Sequence, residues 1–255
     1  HKVLFDLGYV SCKEPFYKLR NQGMILGEDG EKMSKSRGNV VNPDGVIEEF
    51  GADTLRLYEM FMGPLERTKP WQIQGVKGVY NFMRRVFEFF GNPEHIKSGE
   101  EDADVLKELH KTIKKVGEDI EALKFNTAIS QMMIFTNLVY KKGKVTMETA
   151  KLFATTIAPF SPHAAEEIWE ICGGKESITK QSWPVYNPEL TKEDLITMAV
   201  QVNGKTRGTF EVPKEIQKDE FFAIVKADEK IKKYLEGNIV KEIFVPGKIC
   251  NFVVK

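Results

Sequence analysis

Cysteine is scarce: Cys12, Cys172 and Cys250 are the only three in 255 residues, and no two form a Cys-x-x-Cys pair. That pattern supports neither a zinc knuckle nor a disulfide framework, and its plain reading is a reducing compartment, expected to be the cytoplasm. Long apolar runs are missing as well. No stretch approaches the roughly 18 to 20 residues that a membrane-spanning helix needs, and no basic-then-apolar leader opens the chain, so no membrane role is expected. Net charge is absent, because 37 Lys and Arg balance 37 Asp and Glu. Bulk attraction to a polyanion is thereby removed, and a nucleic-acid partner has to rest on local charge. What remains is an ordinary globular composition of 42% hydrophobic and 29% charged residues, enough for two small domains or one large one. The chain starts at His1 and enters Val3-Leu4-Phe5 without an initiator Met, which reads as a piece of something larger.

Texture changes along the chain. Up to about residue 62, short apolar runs are broken by glycine, as in Gly23-Met24-Ile25-Leu26-Gly27, and a helical stretch follows from Asp44 to about Met62. Asn42-Pro43-Asp44 supplies its start and Gly51 a break within it. A strand, a Gly-rich loop and a helix of this kind resemble the tail of an α/β unit. From residue 63 to 182 the pattern is helical. Val79, Phe82, Met83, Val86 and Phe90 share one face, as do Val105, Leu109, Ile113, Val116, Ile120 and Leu123, and then Phe125, Ile129, Met132, Met133, Phe135 and Val139. Further helices are expected from Met147 to Ala158 and from Ser161-Pro162 to Gly173-Gly174. Short connections predict an antiparallel bundle of four or five helices. Residues 183–194 read as a linker. Beyond them, Asn203-Gly204 between β-branched runs marks a hairpin, a helix is expected from Gln217 to Leu235, and Pro246-Gly247 joins two more strands. Residues 195–255 thus read as a small ββαββ domain.

The chemistry is concentrated in Gly27-Glu28-Asp29-Gly30-Glu31-Lys32-Met33-Ser34-Lys35-Ser36-Arg37-Gly38-Asn39. Three cations and two small hydroxyl residues between glycines allow backbone N–H groups and positive charge to converge on phosphate. A mobile loop of this kind can stabilise the negative charge that grows on departing pyrophosphate when the α-phosphate of ATP is attacked. Composition alone favours a solvated loop.

Lys32-Met33-Ser34-Lys35-Ser36 matches the KMSKS signature of the class I aminoacyl-tRNA synthetases at all five positions, and Gly38-Asn39-Val40-Val41-Asn42-Pro43 continues as it does there. Phe50-Gly51-Ala52-Asp53-Thr54-Leu55-Arg56, Met62-Gly63-Pro64-Leu65-Glu66 and Lys69-Pro70-Trp71-Gln72 resemble the leucyl family rather than its isoleucyl and valyl relatives. So do Ala158-Pro159-Phe160-Ser161-Pro162-His163, Glu166-Glu167-Ile168-Trp169, Val200-Gln201-Val202-Asn203-Gly204-Lys205 and Val245-Pro246-Gly247-Lys248. The resemblance spans the whole chain. It implies a fold class of α/β plus α in three parts. These are the end of a Rossmann-type catalytic domain with the KMSKS loop (1–62), a helical anticodon-binding-type domain (63–182) and, after the linker, a small α/β tRNA-binding domain (195–255).

One departure stands out. The family's His-x-Gly-His motif is absent, since the only histidines are His1, His95, His110 and His163. The resemblance therefore implies a partner, either a larger subunit or a missing N-terminal half, that carries this motif and the editing domain. The smaller (beta) subunit of a heterodimer is the favoured form. With that partner the chain is expected to be a leucine–tRNA ligase, activating leucine with ATP and transferring it to tRNA(Leu). A non-catalytic tRNA-binding module derived from a synthetase is the alternative. Magnesium is expected with ATP, and no residue here is assigned as its ligand.

By resemblance, Lys35 is the main stabiliser of the adenylation transition state and Lys32 assists it. Lys35 and the backbone amides of Met33 and Ser34 line the nucleotide, the Ser34 and Ser36 side chains shape the loop, and Arg37 reaches RNA. Trp71, Arg84 and Arg85 sit where the family receives tRNA, with Trp71 equally readable as a core aromatic. Residues 195–255 hold 11 Lys or Arg against 8 Asp or Glu. Lys205, Arg207, Lys241 and Lys248 are accordingly expected at RNA phosphates, each with a solvated-strand alternative. Asp53 and Arg56, three residues apart, are expected to do structural work as an ion pair or against the loop.

Overall fold

The computed structural model describes all residues except 193, 194 and 215. Two units emerge, His1–Thr191 and Lys192–Lys255. In the first, a short helix α1 (Lys2–Asp6) with no buried residue precedes an extended segment. The strand expected near Gly23-Gly27 shrinks to β1 (Ile25–Leu26), which pairs in parallel with β2 (Lys69–Pro70). The Gly23 amide donates to the Leu65 carbonyl at 2.8 Å. A Cβ on Gly23 would meet the Arg67 carbonyl oxygen at 2.0 Å, so the backbones there approach as only glycine allows.

The Asn42 side chain accepts a hydrogen bond from Asp44 N–H at 3.1 Å and caps α2 (Pro43–Phe50), with proline at its first position. Gly51, at φ 85°, breaks the stretch before α3 (Ala52–Phe61). The bundle consists of α4 (Ile73–Phe90), α5 (Ala103–Glu121), α6 (Phe125–Lys142), α7 (Met147–Ile157) and α8 (Pro162–Ile171). Between α4 and α5, β3 (Ile96–Lys97) pairs in parallel with β4 (Val145–Thr146), which lies just ahead of α7. Helices α5 and α6 run antiparallel. Lys142 at the end of α6 bonds Asp102 and Asp104 at the start of α5, while Thr127 Oγ1 at the start of α6 donates to Asp119 Oδ2 at 2.6 Å near the end of α5.

The apolar stripes read from the sequence fill the core: Val79, Val86, Phe90, Val105, Leu109, Ile113, Val116, Ile129, Met132, Phe135 and Val139 are buried. Each large side chain so buried contributes about 1.5–3 kcal/mol. The same core continues through Val46, Phe50, Leu57 and Tyr58, so α2 and α3 share one hydrophobic interior with the bundle. Ser161 stands at the N-cap of α8 without a side-chain capping bond. Asp53 of α3 takes over that role. Its carboxylate accepts Ala164 N–H at 2.8 Å, the Ser161 hydroxyl at 2.9 Å and His163 Nδ1 at 2.8 Å. Arg56 donates to the Pro159 carbonyl at 2.9 Å. Both residues therefore fasten α3 to the corner between α7 and α8, and neither pairs with the other or with the loop among the described residues.

The segment read as a linker is packed rather than free over residues 183–191; residues 193 and 194 of that reading lie outside the described residues. Trp183 sits over Gly117, whose Cβ would lie 3.1 Å from the indole nitrogen. Lys114 Nζ stands 5.7 Å from the Tyr186 ring, and Asn187 N–H donates to His110 Nδ1 at 3.1 Å. Its aromatic residues outweigh its prolines, because α5 offers them a glycine notch.

The second unit carries β5 (Leu195–Val202), β6 (Lys205–Pro213), α9 (Lys218–Ala227), α10 (Glu229–Lys232), β7 (Ile239–Val245) and β8 (Ile249–Val254). The sheet order is β6-β5-β8-β7, with β5 and β8 parallel and the outer pairs antiparallel. Asn203 and Gly204 both have positive φ, 49° and 76°, as a two-residue hairpin turn with right-handed strand twist requires. The single helix expected from Gln217 to Leu235 divides at Asp228, whose side chain caps α10 through the Lys230 and Ile231 amides. Met198, Val200, Val212, Cys250 and Phe252 on one sheet face bury Phe221, Phe222, Val225 and Ile231.

Candidate active site

The loop that carries the five-residue signature begins directly after β1. Leu26 bridges to Lys32, and Gly27 N–H donates to the Glu31 carbonyl at 2.9 Å, closing a tight turn over Glu28–Gly30. The Gly30 φ of 76° suits the residue that completes it. A second turn follows, with Arg37 N–H donating to the Ser34 carbonyl and Gly38 N–H to the Lys35 carbonyl, both at 3.2 Å. Glu28 anchors the loop to the bundle by accepting Ile73 N–H, at the start of α4, at 3.4 Å. Trp71 N–H donates to the Leu26 carbonyl at 2.9 Å from the same region.

Two residues that the sequence reading passed over hold the arms together. Asn39 Nδ2 donates to both Asp29 carboxylate oxygens at 3.0 and 3.1 Å, and Asn39 Oδ1 accepts Ser34 N–H at 2.9 Å. Asp29 also accepts Glu31 N–H at 3.0 Å. The Glu31 amide and Asn39 hold the Asp29 carboxyl below its ordinary range, with the Arg37 charge adding to them against the effect of burial. Both residues stood inside the quoted motif; the polar side chains beside Gly30 and Gly38 were the only signal.

Lys32 and Lys35 are exposed, and among the described residues neither ammonium has an ion-pair or hydrogen-bond partner. Met33 turns inward, partly buried against the core. Ser34 differs from the expectation that its amide faces a nucleotide: that N–H is taken by Asn39, and its hydroxyl lies 3.2 Å from Ser36 Oγ. Arg37 pairs with Glu31 across the loop at 3.6 Å, both side chains more than half exposed.

The expected RNA contacts separate into two groups. Trp71 is 4% exposed and meets Tyr58 edge-on at a ring distance of 4.9 Å, so it is a core residue and cannot stack on a base. Tyr58 is fixed in turn by Gln72 N–H, which donates to its hydroxyl at 2.9 Å. Arg85 is likewise used internally. Its guanidinium donates to Asn137 Oδ1 at 2.8 Å and covers the Tyr140 ring at 4.5 Å, and the Tyr140 hydroxyl donates back to the Arg85 carbonyl. It joins α4 to α6. Arg84 is exposed beside Glu88 at 3.6 Å.

In the second unit, Lys205, Arg207, Lys241 and Lys248 are all exposed, with the Arg207 guanidinium 4.3 Å from the Tyr234 ring. Lys205 and Arg207 lie on one edge strand and Lys241 on the other, three strand spacings or about 14 Å apart, so they form a spread surface rather than one pocket. Among the described residues no group of three His, Cys, Asp or Glu side chains is arranged to hold a metal ion. No helix among them is long and apolar enough to cross a membrane.

Residues 8–70 match the family model for tRNA synthetases class I (I, L, M and V), and residues 102–222 match that for the anticodon-binding domain of tRNA ligase. A leucine–tRNA ligase of Chlorobaculum tepidum is 52% identical over 260 aligned residues, and one of Chloroherpeton thalassium is 49% identical over 261. Each alignment covers 100% of this chain and 32% of the relative. Among solved structures, LeuRS agnB2 of Agrobacterium radiobacter K84, crystallised as a ternary complex with tRNA and LeuAMS, superposes with a TM-score of 0.75 at 33% identity. That match covers 100% of this chain and 35% of the other. The chain spans about a third of the length of these relatives, corresponds to the C-terminal portion of leucine–tRNA ligases, and carries segments that match the class I tRNA synthetase and the anticodon-binding family models.

Proposed function

We propose that this chain supplies the phosphate-facing loop and much of the tRNA-binding body of an enzyme that activates leucine with ATP and transfers it to tRNA(Leu). The observation that carries this reading is the pair of unpartnered ammonium groups, Lys32 and Lys35, on a loop braced at both ends. Attack of the leucine carboxylate on the α-phosphate releases pyrophosphate, and the charge accumulating on that leaving group is greatest in the transition state. Flexible, unpaired lysines meet it there, Lys35 foremost and Lys32 assisting, while they contribute little to leucine binding. Arg37, Arg84, Lys205, Arg207, Lys241 and Lys248 present exposed charge to the RNA backbone. They recognise shape and phosphate more than base identity.

The rest of the active site comes from a partner, a larger subunit or the N-terminal two-thirds, bearing His-x-Gly-His and the editing domain. Residues 1–24 support such a partner: Leu7, Tyr9, Phe16, Tyr17 and Leu19 are exposed, a density of apolar surface that suits a protein interface better than water. Three free cysteines suit the cytoplasm as the place of assembly.

Mass measurement of the protein from its source, under native and then denaturing conditions, followed by leucine-dependent ATP–pyrophosphate exchange, tests the reading. A complex that separates into this chain and a larger one, with exchange activity, supports the heterodimer. A single heavier polypeptide with that activity supports the one-chain form. A stable 29.1 kDa protein that binds tRNA with no exchange activity in any assembly would show a non-catalytic RNA-binding module.

A further inference from the structure

We infer that Asp29 and Asn39 form a positioning clasp that keeps Lys32 and Lys35 unpaired and fixes the turn that presents them. The inference rests on the function proposed above. Asp29 is the acidic group closest in sequence before the two lysines apart from Glu31, and a free carboxylate there would capture an ammonium and cancel the charge the loop exists to offer. Its oxygens are instead occupied. Asn39 Nδ2 donates to both, and Glu31 N–H donates to Oδ1. Glu31, the other nearby carboxylate, is turned to Arg37. With Glu28 accepting Ile73 N–H, all three acids of the loop are satisfied by groups other than the signature lysines.

The clasp also sets the loop geometry. Asn39 bonds in two directions, its amide nitrogen to Asp29 at the first turn and its amide oxygen to Ser34 N–H immediately before Lys35. One side chain therefore ties the beginning, middle and end of the loop together. The room for it is narrow: a Cβ on Gly27 would lie 2.7 Å from Asp29 Oδ1 and 2.9 Å from Asn39 Nδ2. Asp29 and Asn39 touch no reacting atom, so they are positioning residues, and their effect passes through Lys35.

The donor and acceptor pattern gives a specific test. Asp29→Asn leaves Asn39 Nδ2 one acceptor but puts an NH2 group where Oδ2 accepted its second bond, so one bond of the clasp is lost and two N–H donors meet. Asn39→Asp sets two carboxylates together. The double exchange, Asp29→Asn with Asn39→Asp, restores complementarity: the new amide donates to the new carboxylate and accepts Glu31 N–H, while the carboxylate still accepts Ser34 N–H.

In the complete leucine-activating enzyme, each single change is expected to lower kcat for ATP–pyrophosphate exchange roughly tenfold or more with KM for leucine unchanged, and the double exchange to recover to within about threefold of wild type. A double variant no better than the worse single, or singles with wild-type kcat, overturns the clasp. Hydrogen exchange at the Ser34 amide in the same variants is independent of catalysis. Protection lost in the singles and regained in the double supports the clasp, and unchanged protection in the singles overturns it. A wild-type enzyme with no leucine-dependent exchange but with that pattern of protection would sink the proposed function while leaving the Asp29–Asn39 bond standing as a structural fastening only, which also overturns its positioning role.

Discussion

Asp53 of α3 caps a helix that starts more than 100 residues later: its carboxylate takes the Ser161 hydroxyl, 108 positions away, and the Ala164 amide, each within 2.9 Å. The negative charge at the N-terminus of α8 also suits the helix dipole. Asp53→Ala leaves two donors in a partly buried corner without their partner. It is expected to lower stability by about 2–3 kcal/mol, read as a shift in the urea midpoint. His163→Ala, which removes an exposed ring from the same carboxylate, is expected to cost less than about 1 kcal/mol.

In the complete enzyme proposed above, Lys35→Ala is expected to reduce the rate of leucyl-adenylate formation about a hundredfold, and Lys32→Ala about tenfold, with leucine affinity nearly unchanged in both. Pre-steady-state measurement of adenylate formation separates rate from binding. Equal losses in rate and in leucine affinity would show the lysines binding ground-state substrate.

The segment lying along α5 is expected to loosen in acid. Burial pushes the His110 imidazole down from its ordinary value, and the neutral ring is what accepts Asn187 N–H. A histidine whose folded pKa is depressed binds fewer protons folded than open, so stability increases with pH and is lost as pH falls through the open-state value near 6.5. Protection of the Asn187 amide, corrected for intrinsic exchange, should drop between about pH 8 and about pH 5. His110→Phe should abolish that dependence.

The three cysteines should differ sharply in reactivity. Cys172 and Cys250 are buried, and burial pushes the Cys250 thiol up to about 12, with Glu242 adding to it. Near pH 8 its thiolate fraction is about 1 in 10⁴. An alkylating reagent is expected to label only Cys12 in the folded chain and all three thiols in denaturant, counted by mass. If residues 1–24 meet the proposed partner, Cys12 should become protected in the complex.

Local signals were readable and long-range ones were not. The helix start at Asn42-Pro43, the hairpin at Asn203-Gly204 and the apolar stripes of the bundle follow from neighbouring residues, and the structure has them where spacing put them. The loop lysines were legible for the same reason, because five consecutive residues carry the signature. Trp71 was ambiguous, since nothing in its neighbourhood announces that Tyr58 sits against it. Arg85 looked like free charge because Asn137, its acceptor, lies 52 positions on. The packing of residues 183–191 was hidden by prolines that resemble a linker, and the notch they fill is one glycine, Gly117, on another element. Asp228 supplied a cap strong enough to divide a helix that periodicity alone would have continued.

The pairing of β5 with β8 has a consequence for biosynthesis. These are the first and last strands of the second unit, yet they lie side by side at the centre of its sheet, with Val200 opposite Cys250 and Val202 opposite Phe252. While the ribosome is still making residues 214–248, the hairpin of β5 and β6 has one central edge open and no third strand to close it. Non-local pairing of this kind is slow to form and exposes strand edges while it waits. The first unit, whose helices meet their neighbours within short connections, can fold during translation. The second has to wait until Phe252 has left the exit tunnel.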